Sequence, residues 1–278
     1  GTTAMDALTT GGDNIALGFN AFGAGTTGGS NIAIGNQVMS AVVTGSNNIA
    51  LGTDAMDALT TGVCNIGIGI NAYGASTAGA RNIAIGENAL AGGNVDDNDN
   101  VAIGGNAMDA LTSGYNNIAL GENALGVSQN GCKNIAIGEL AIGFCTGASV
   151  NNIAIGSSSG YRITTGRCNI HIGAGSGANV TTGCFNIAIG SEAGDAAVAQ
   201  LHTINIGYNV DNTTASTTCI GGLCVMATQF TATSDCRSKC NIKDLPYGLN
   251  FINLLRPVSY KWKPQADKLD KDGNLLEA

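Results

Sequence analysis

Isoleucine and leucine recur along most of the chain in a five-residue pattern, with a small residue between them. The closing glycines of this pattern are 17 residues apart, except for two steps of 18. Twelve copies at so regular a period predict a repeat architecture in which each copy is one structural unit. The pattern Asn-Ile-Ala-Ile/Leu-Gly and its variants occupy positions 14–18, 31–35, 48–52, 65–69, 82–86, 100–104, 117–121, 134–138, 152–156, 169–173, 186–190 and 203–207.

Each copy predicts two short strands and two turns. In Ile32-Ala33-Ile34, strand alternation places both isoleucines on one side and the alanine on the other. A second strand is predicted over segments such as 106–111, and Gly, Asn, Ser and Thr supply the turns. Seventeen residues suit one coil of a β-roll or β-helix. We expect the isoleucines to point into a thin core and the coils to pair through their backbones.

The residue between the two isoleucines is nearly always alanine or glycine. An outward position on a solvated sheet would accept Thr, Lys or Glu, so we interpret this face as a subunit interface of a homotrimer. The alternative is that duplication alone spread a uniform sequence. His171 takes this position in one copy. We expect it to be a surface histidine rather than part of an anion or metal site on a three-fold axis.

Composition and charge narrow the classes of function. The chain of 278 residues has 42 glycines, 12% charged residues and 5% aromatic residues, which does not suit a conventional globular core. A formal net charge of -8 disfavours nucleic-acid binding. No apolar run approaches the length of a membrane span, so membrane insertion is not expected. Nine cysteines without CxxC spacing are expected to be mostly reduced, and no metal site or cofactor is predicted.

The repeat ends after position 207, and a different composition follows. Residues 211–232 keep a β-like character, and 233–278 carry a new pattern, so we divide the chain into 1–210, 211–232 and 233–278. Leucine and isoleucine at a spacing of three to four predict a helix over 245–255, followed by a strand over 258–262. The fold class is therefore an all-β solenoid with 17-residue rungs, homotrimeric, followed by a small α+β segment.

The C-terminal residues resemble a known family. The pattern Thr-Ser-Asp-x-Arg-x-Lys-x-Asn-Ile from position 233, followed by Leu-Leu-Arg-Pro-Val-x-Tyr-x-Trp from position 254, is similar to the start of the intramolecular chaperone domain of phage tail spikes and fibres. This is the endosialidase-type, peptidase S74-like, self-cleaving domain. The five-residue repeats separately resemble the head repeats of YadA-like trimeric adhesins and comparable phage fibre shafts.

The resemblance implies roles for two side chains. Ser234 would be the nucleophile and Lys239 its general base, with scission between Thr233 and Ser234. A lysine near a hydroxyl accepts its proton if burial lowers the pKa of the amine. From the residues alone, the alternative is that Ser234 and Asp235 cap a turn and that Lys239 is a solvated charge.

Three functions are weighed on this basis. The first is a structural trimeric fibre protein of a virus, a phage tail fibre or spike for host attachment, with a C-terminal chaperone segment. Its expected partners are two further copies, a host receptor or glycan, and other tail proteins of the virion, after assembly in the host cytoplasm. The second is a bacterial trimeric adhesin on the cell surface. The third is a glycan-degrading tailspike, which requires paired carboxylates.

Overall fold

A computed structural model describes residues 1–93, 98–195 and 198–221, together with the strand Leu223–Val225. The chain divides into two units, Gly1–Phe230 and Thr231–Ala278, and all described residues belong to the first. The helix predicted over 245–255 and the strand predicted over 258–262 therefore lie outside the described residues. The described part of the chain contains strands and turns, and no helix.

One sheet of 14 short strands runs through the first unit, with the strands in sequence order. Strands β1 to β13 pair in parallel, and β14 pairs with β13 in the antiparallel direction. The bounds of the strands are β1 Ile15–Leu17, β2 Ile32–Ile34, β3 Ile49–Leu51, β4 Ile66–Ile68, β5 Ile83–Ile85, β6 Val101–Ile103, β7 Ile118–Leu120, β8 Ile135–Ile137, β9 Ile153–Ile155, β10 Ile170–Ile172, β11 Ile187–Ile189, β12 Ile204–Ile206, β13 Thr218–Ile220 and β14 Leu223–Val225.

Equivalent positions of successive coils stack directly on one another. Ile15 pairs with Ile32, and Ile32 with Ile49, and the same register continues to the last coil. The extra residue in each 18-residue step falls outside the strands, because the strand register is unchanged across it. The predicted β-solenoid with 17-residue rungs is confirmed. At about 4.8 Å between paired strands, the 13 parallel strands span roughly 58 Å.

The predicted second strand of each coil is wrong. Segment 106–111 is a turn, because Asn106 and Met108 have φ angles of 53° and 52°, in the left-handed region. Alternating left-handed residues bend the chain sharply and prevent the extended conformation that a strand requires. The segment still stacks: the Met108 amide donates to the Ala124 carbonyl of the next coil at 3.0 Å.

The orientation predicted for the strands is also wrong. The middle alanines point into the coil and are fully buried, as at Ala33 and Ala119, whereas the flanking isoleucines point outward. The interior is narrow because side chains from the turn segment fill it. At Gly67, an added Cβ would lie 3.1 Å from the Met56 side chain. The small middle residue is therefore required by packing inside one coil, and the alanine face is no subunit interface.

A ladder of buried asparagines runs beside the strands. The first asparagine of the pattern recurs from Asn14 to Asn186, and Thr203 ends the series. In a typical step, the Asn48 side-chain amide donates to Asn31 Oδ1 at 3.1 Å and to the Gly62 carbonyl at 2.8 Å. In most coils the side-chain amide thus joins its coil to the preceding one and closes the turn that follows. The ladder satisfies polar groups that would otherwise be buried without partners.

Candidate functional site

The two predicted catalytic residues, Ser234 and Lys239, lie outside the described residues. So do Thr233 and Asp235, which flank the predicted scission and capping positions. The roles of Ser234 and Lys239 therefore stay predictions. What the structure does describe is the surface and the interior of the solenoid that precedes them.

The most extensive surface feature is a row of aliphatic side chains on the outer face of the sheet. We define the apolar strip as the two outward residues of each of the strands β1 to β12. All of them are Ile, Leu or Val, and all are at least partly exposed. In mid-shaft, Ile103 keeps 38% of its surface exposed and Ile118 keeps 36%. The exposure is larger at the first strand, where Leu17 is 61% exposed.

The apolar strip is long and narrow. Its length is roughly 53 Å for twelve strands, and the two rows lie about 7 Å apart along each strand. With side-chain widths included, its projected area is on the order of 600 Å², at the upper end of the largest patches on typical monomers. A continuous exposed surface of this kind marks an interaction site rather than scattered surface hydrophobics.

Charged side chains stand at the two edges of the apolar strip. Arg81 and Lys133 precede β5 and β8, whereas Glu87 and Glu139 follow the same two strands. Because the strands are parallel, the two cations lie on one edge and the two carboxylates on the other. Arg81 is paired within its own chain, since its guanidinium donates two hydrogen bonds to the Asp99 carboxylate at 2.6 and 2.9 Å. This guanidinium holds the pKa of Asp99 below its ordinary value.

Lys133 differs from Arg81 in having no carboxylate partner within the described part of the chain. Its Nζ lies 5.7 Å from the centre of the Tyr115 ring, a cation–π contact between neighbouring coils. Glu139, at the other edge of the same coil, is exposed and has no ion pair among the described residues either. One coil therefore offers an unpaired cation at one edge of the strip and an unpaired anion at the other.

His171 is buried inside the coil, so its expected position on the surface is wrong. Its exposed fraction is 0%, and neither ring nitrogen has a hydrogen-bond partner in the described structure. Burial lowers the pKa of the His171 imidazole to about 4, because the charged form has no compensating contact. The error follows from the strand orientation: the middle position faces the interior, and the histidine takes that position.

Gly177 in the turn segment makes room for the His171 ring. A Cβ added at Gly177 would overlap the ring, whereas one added at Gly160 would make an ordinary contact, 3.6 Å from ring carbon Cδ2. In the coils of β1 to β8, the turn position equivalent to Gly177 carries a large buried residue, such as Met108, opposite a small strand residue, such as Ala102. In the coil of His171 the large residue is on the strand and the small one in the turn, so the interior stays filled.

The carboxylates of the turn segments follow the repeat rather than forming an isolated pair. Asp57 and Asp109 take the same position in two different coils, five residues after the closing glycine. Burial raises the pKa of both, and the charge of Asp54 adds to the increase at Asp57. Their equivalence in the repeat identifies them as turn residues.

Other expected site types were searched for among the described residues. No group of three or more His, Cys, Asp or Glu in these ranges is arranged to hold a metal ion. Cys64, Cys132, Cys145, Cys168 and Cys184 are free thiols in this structure. Within the same ranges, no helix has the length and apolar character that a membrane crossing needs.

Comparisons with known proteins locate a family match in the C-terminal unit. No curated protein and no solved structure matches the chain. Residues 234–275 match the family described as the chaperone of endosialidase. The matched segment begins at Ser234 and includes Lys239. The chain therefore combines a β-solenoid of 17-residue coils with a C-terminal segment similar to the endosialidase chaperone.

Proposed function

We propose that the chain is a structural trimeric fibre protein of a virus, the shaft of a phage tail fibre or spike that mediates attachment to a host. The observation that carries the proposal is the order of the two parts. A chaperone-like segment over 234–275 follows directly after a long repetitive shaft. Parallel pairing between distant residues forms slowly and exposes strand edges on the way, so such a shaft benefits from a dedicated folding aid.

The proposal assigns the C-terminal segment two successive actions. It first brings three chains together and aligns their shafts, and it then releases itself by cleavage between Thr233 and Ser234. Ser234 Oγ attacks the Thr233 carbonyl while Lys239 accepts the hydroxyl proton and passes it to the Ser234 nitrogen as the Thr233–Ser234 peptide bond breaks. Water then hydrolyses the resulting ester, which regenerates the Ser234 hydroxyl and leaves a carboxylate on Thr233. Support for these roles comes from the sequence pattern and from the first matched residue, which is Ser234 itself. The products are the shaft 1–233 and the released segment 234–278.

The viral function is favoured over the adhesin because of the family match. Repeats alone suit both kinds of fibre, but the chaperone similarity is tied to endosialidase-type assembly. The proposed partners are two further copies, a receptor or glycan on the host surface, and other proteins of the virion tail. The shaft has no role in turnover of an external substrate in this proposal.

Self-cleavage is tested by the intact mass of the purified chain. We expect the wild-type product to end at Thr233, while Ser234→Ala and Lys239→Ala keep residues 234–278 attached, because each lacks one member of the proposed pair. Ser238→Ala is the matched control, since it removes a hydroxyl from the same segment outside the proposed pair, and we expect it to be cut. An uncut wild-type chain, or a Ser234→Ala chain cut at the same bond, would contradict the assignment.

A further inference from the structure

We infer that the apolar strip is the interface between copies of this chain, joined head to tail around a three-fold axis, with Lys133 of one copy beside Glu139 of the next. The inference rests on the proposed function for the number of chains and adds the face that they bury. It replaces the alanine face of the sequence prediction, which packing inside each coil already occupies.

The apolar strip has the area and the composition of a surface that a partner buries. Its projected area of roughly 600 Å² approaches the ~800 Å² that each partner contributes to a standard stable interface. Its outward positions are aliphatic in every coil from β1 to β12, although a solvated sheet face would carry polar residues there. Ile103 is 38% exposed and Ile118 is 36% exposed, so neighbouring coils already cover part of each side chain and a partner would cover the rest.

Periodicity identifies the occupant as the same chain. The side chains of the strip repeat at the strand spacing of about 4.8 Å over twelve coils, so a partner stays in register only if it has the same rise. A second copy has that rise along its whole length. A globular partner or a single helix, which rises 1.5 Å per residue, matches the strip over a few coils at most.

Symmetry then decides which edges meet. All strands of the shaft are parallel, so every protomer has one edge formed by strand starts and one formed by strand ends. When three strips face a common axis, the first edge of each protomer lies beside the second edge of the next, and the ring closes. A three-fold rotation has no translation along its axis. Residues that meet across this contact therefore belong to equivalent coils.

The edge charges agree with this rule. Arg81 and Glu87 flank β5, and Lys133 and Glu139 flank β8, so in both cases the opposite charges are on one coil. A head-to-tail ring brings each cation next to the carboxylate of the following copy. Arg81 already pairs with Asp99, whereas Lys133 and Glu139 have no ion pair among the described residues. A pair between copies is therefore expected at the coil that contains β8, which we call coil 8.

The strip itself is tested by a charge in its centre. Ile137→Lys, in β8, would bury three unpaired cations at the axis, so we expect the trimer to be lost at micromolar concentration, a change of at least about tenfold in its population. Native mass gives the number of chains, and circular dichroism reports whether the β-solenoid persists. Thr146→Lys is the control: it adds the same charge to an exposed turn of the same coil and should leave the trimer intact.

The head-to-tail arrangement is tested separately by exchanging the edge charges. Lys133 and Glu139 are exposed, so their replacement does not threaten the fold. At low salt, we expect Lys133→Glu and Glu139→Lys each to lower the temperature of trimer dissociation by about 2–5 °C. The double exchange should restore the wild-type value, since it reverses the pair without removing it.

The possible outcomes separate this inference from the proposed function. A wild-type monomer contradicts the trimeric fibre and with it the interface. A wild-type trimer that tolerates Ile137→Lys overturns the interface alone, because the chains then meet elsewhere. If Ile137→Lys abolishes the trimer, but the double exchange lowers the temperature of trimer dissociation as much as either single exchange does, the head-to-tail contact at coil 8 is overturned.

Discussion

Asn100→Ala is expected to destabilise the shaft by about 3–5 kcal/mol, one of the largest effects of any single substitution in it. The side-chain amide of Asn100 donates to the Gly114 carbonyl at 2.7 Å, and its Oδ1 accepts from the backbone and side-chain amides of Asn117 at 3.1 Å. Alanine leaves these buried groups without partners, each at a cost of about 1–3 kcal/mol. The buried ladder is also interrupted in its middle, between Asn82 and Asn117.

Urea denaturation of Asn100→Ala beside Asn130→Ala measures this effect. Asn130 is an exposed turn residue one coil further along the chain, and its side chain accepts a hydrogen bond from Ser113 at 2.6 Å. A surface change of this kind alters stability by about 0.5 kcal/mol or less. Equal losses for the two variants would show that the buried ladder adds nothing specific to the stability of the coils.

The second large effect is an acid-dependent loss of stability centred on His171. Its pKa is about 4 in the folded coil against 6.5 in the unfolded chain, so the unfolded chain binds a proton first as the pH falls. The associated stability is fully present above pH 6.5 and is lost as the pH falls from 6.5 to about 4. The difference in pKa corresponds to about 3 kcal/mol for each copy.

A matched double variant isolates this contribution. His171→Ala with Gly177→Met reproduces the pair Ala102 and Met108 of another coil, so the interior stays filled and the titrating group is gone. The position of Gly177 has a φ of 61°, close to the 52° that Met108 adopts. We expect the protection factors of the amides in this coil, which correct for the intrinsic pH dependence of exchange, to fall between pH 6.5 and 4.5 in the wild type, and much less in the double variant.

An identical pH response in the two proteins would contradict the assignment to His171. The single variant His171→Ala is a poorer test, because it leaves a cavity beside Gly177 that destabilises the coil at every pH. The aspartates and glutamates of the shaft are the same in the two proteins. Their contribution therefore cancels in the comparison.

The sequence predicted the solenoid correctly because that prediction depends only on the 17-residue period of the repeat. Isoleucines at a spacing of 17 residues, with 18 tolerated twice, require equivalent positions to stack, and the register of Ile15 on Ile32 confirms it. Alternation within a strand, however, says only that two faces differ. It does not say which face is inside, and the larger side chains were assigned to the core.

The inside of the coil depends on the turn segment, and that segment was predicted as a strand. Left-handed residues such as Met108 bend the segment and place large side chains inside, which leaves room for alanine or glycine on the facing strand. The positions of His171 and of the apolar strip follow from this one inversion. The inferred pairing of Lys133 with Glu139 could not be predicted from the sequence for the same reason, because the two edges of the strip are defined only once the outer face is known.

The asparagine ladder had a visible signal in the sequence. An asparagine that precedes the first isoleucine in nearly every copy must stack on its equivalents, and stacked amides form ladders of hydrogen bonds. It was interpreted as a turn residue instead. The roles of Ser234 and Lys239 rest on the C-terminal pattern, and the family match over 234–275 supports that pattern without describing their geometry.

The measurement that tests the central claim most directly is the native mass of the purified wild-type chain. A solenoid that buries its apolar strip between copies predicts three chains per particle, whether or not residues 234–278 remain attached. A folded particle of one chain, with the strip exposed to solvent, would contradict the trimeric fibre.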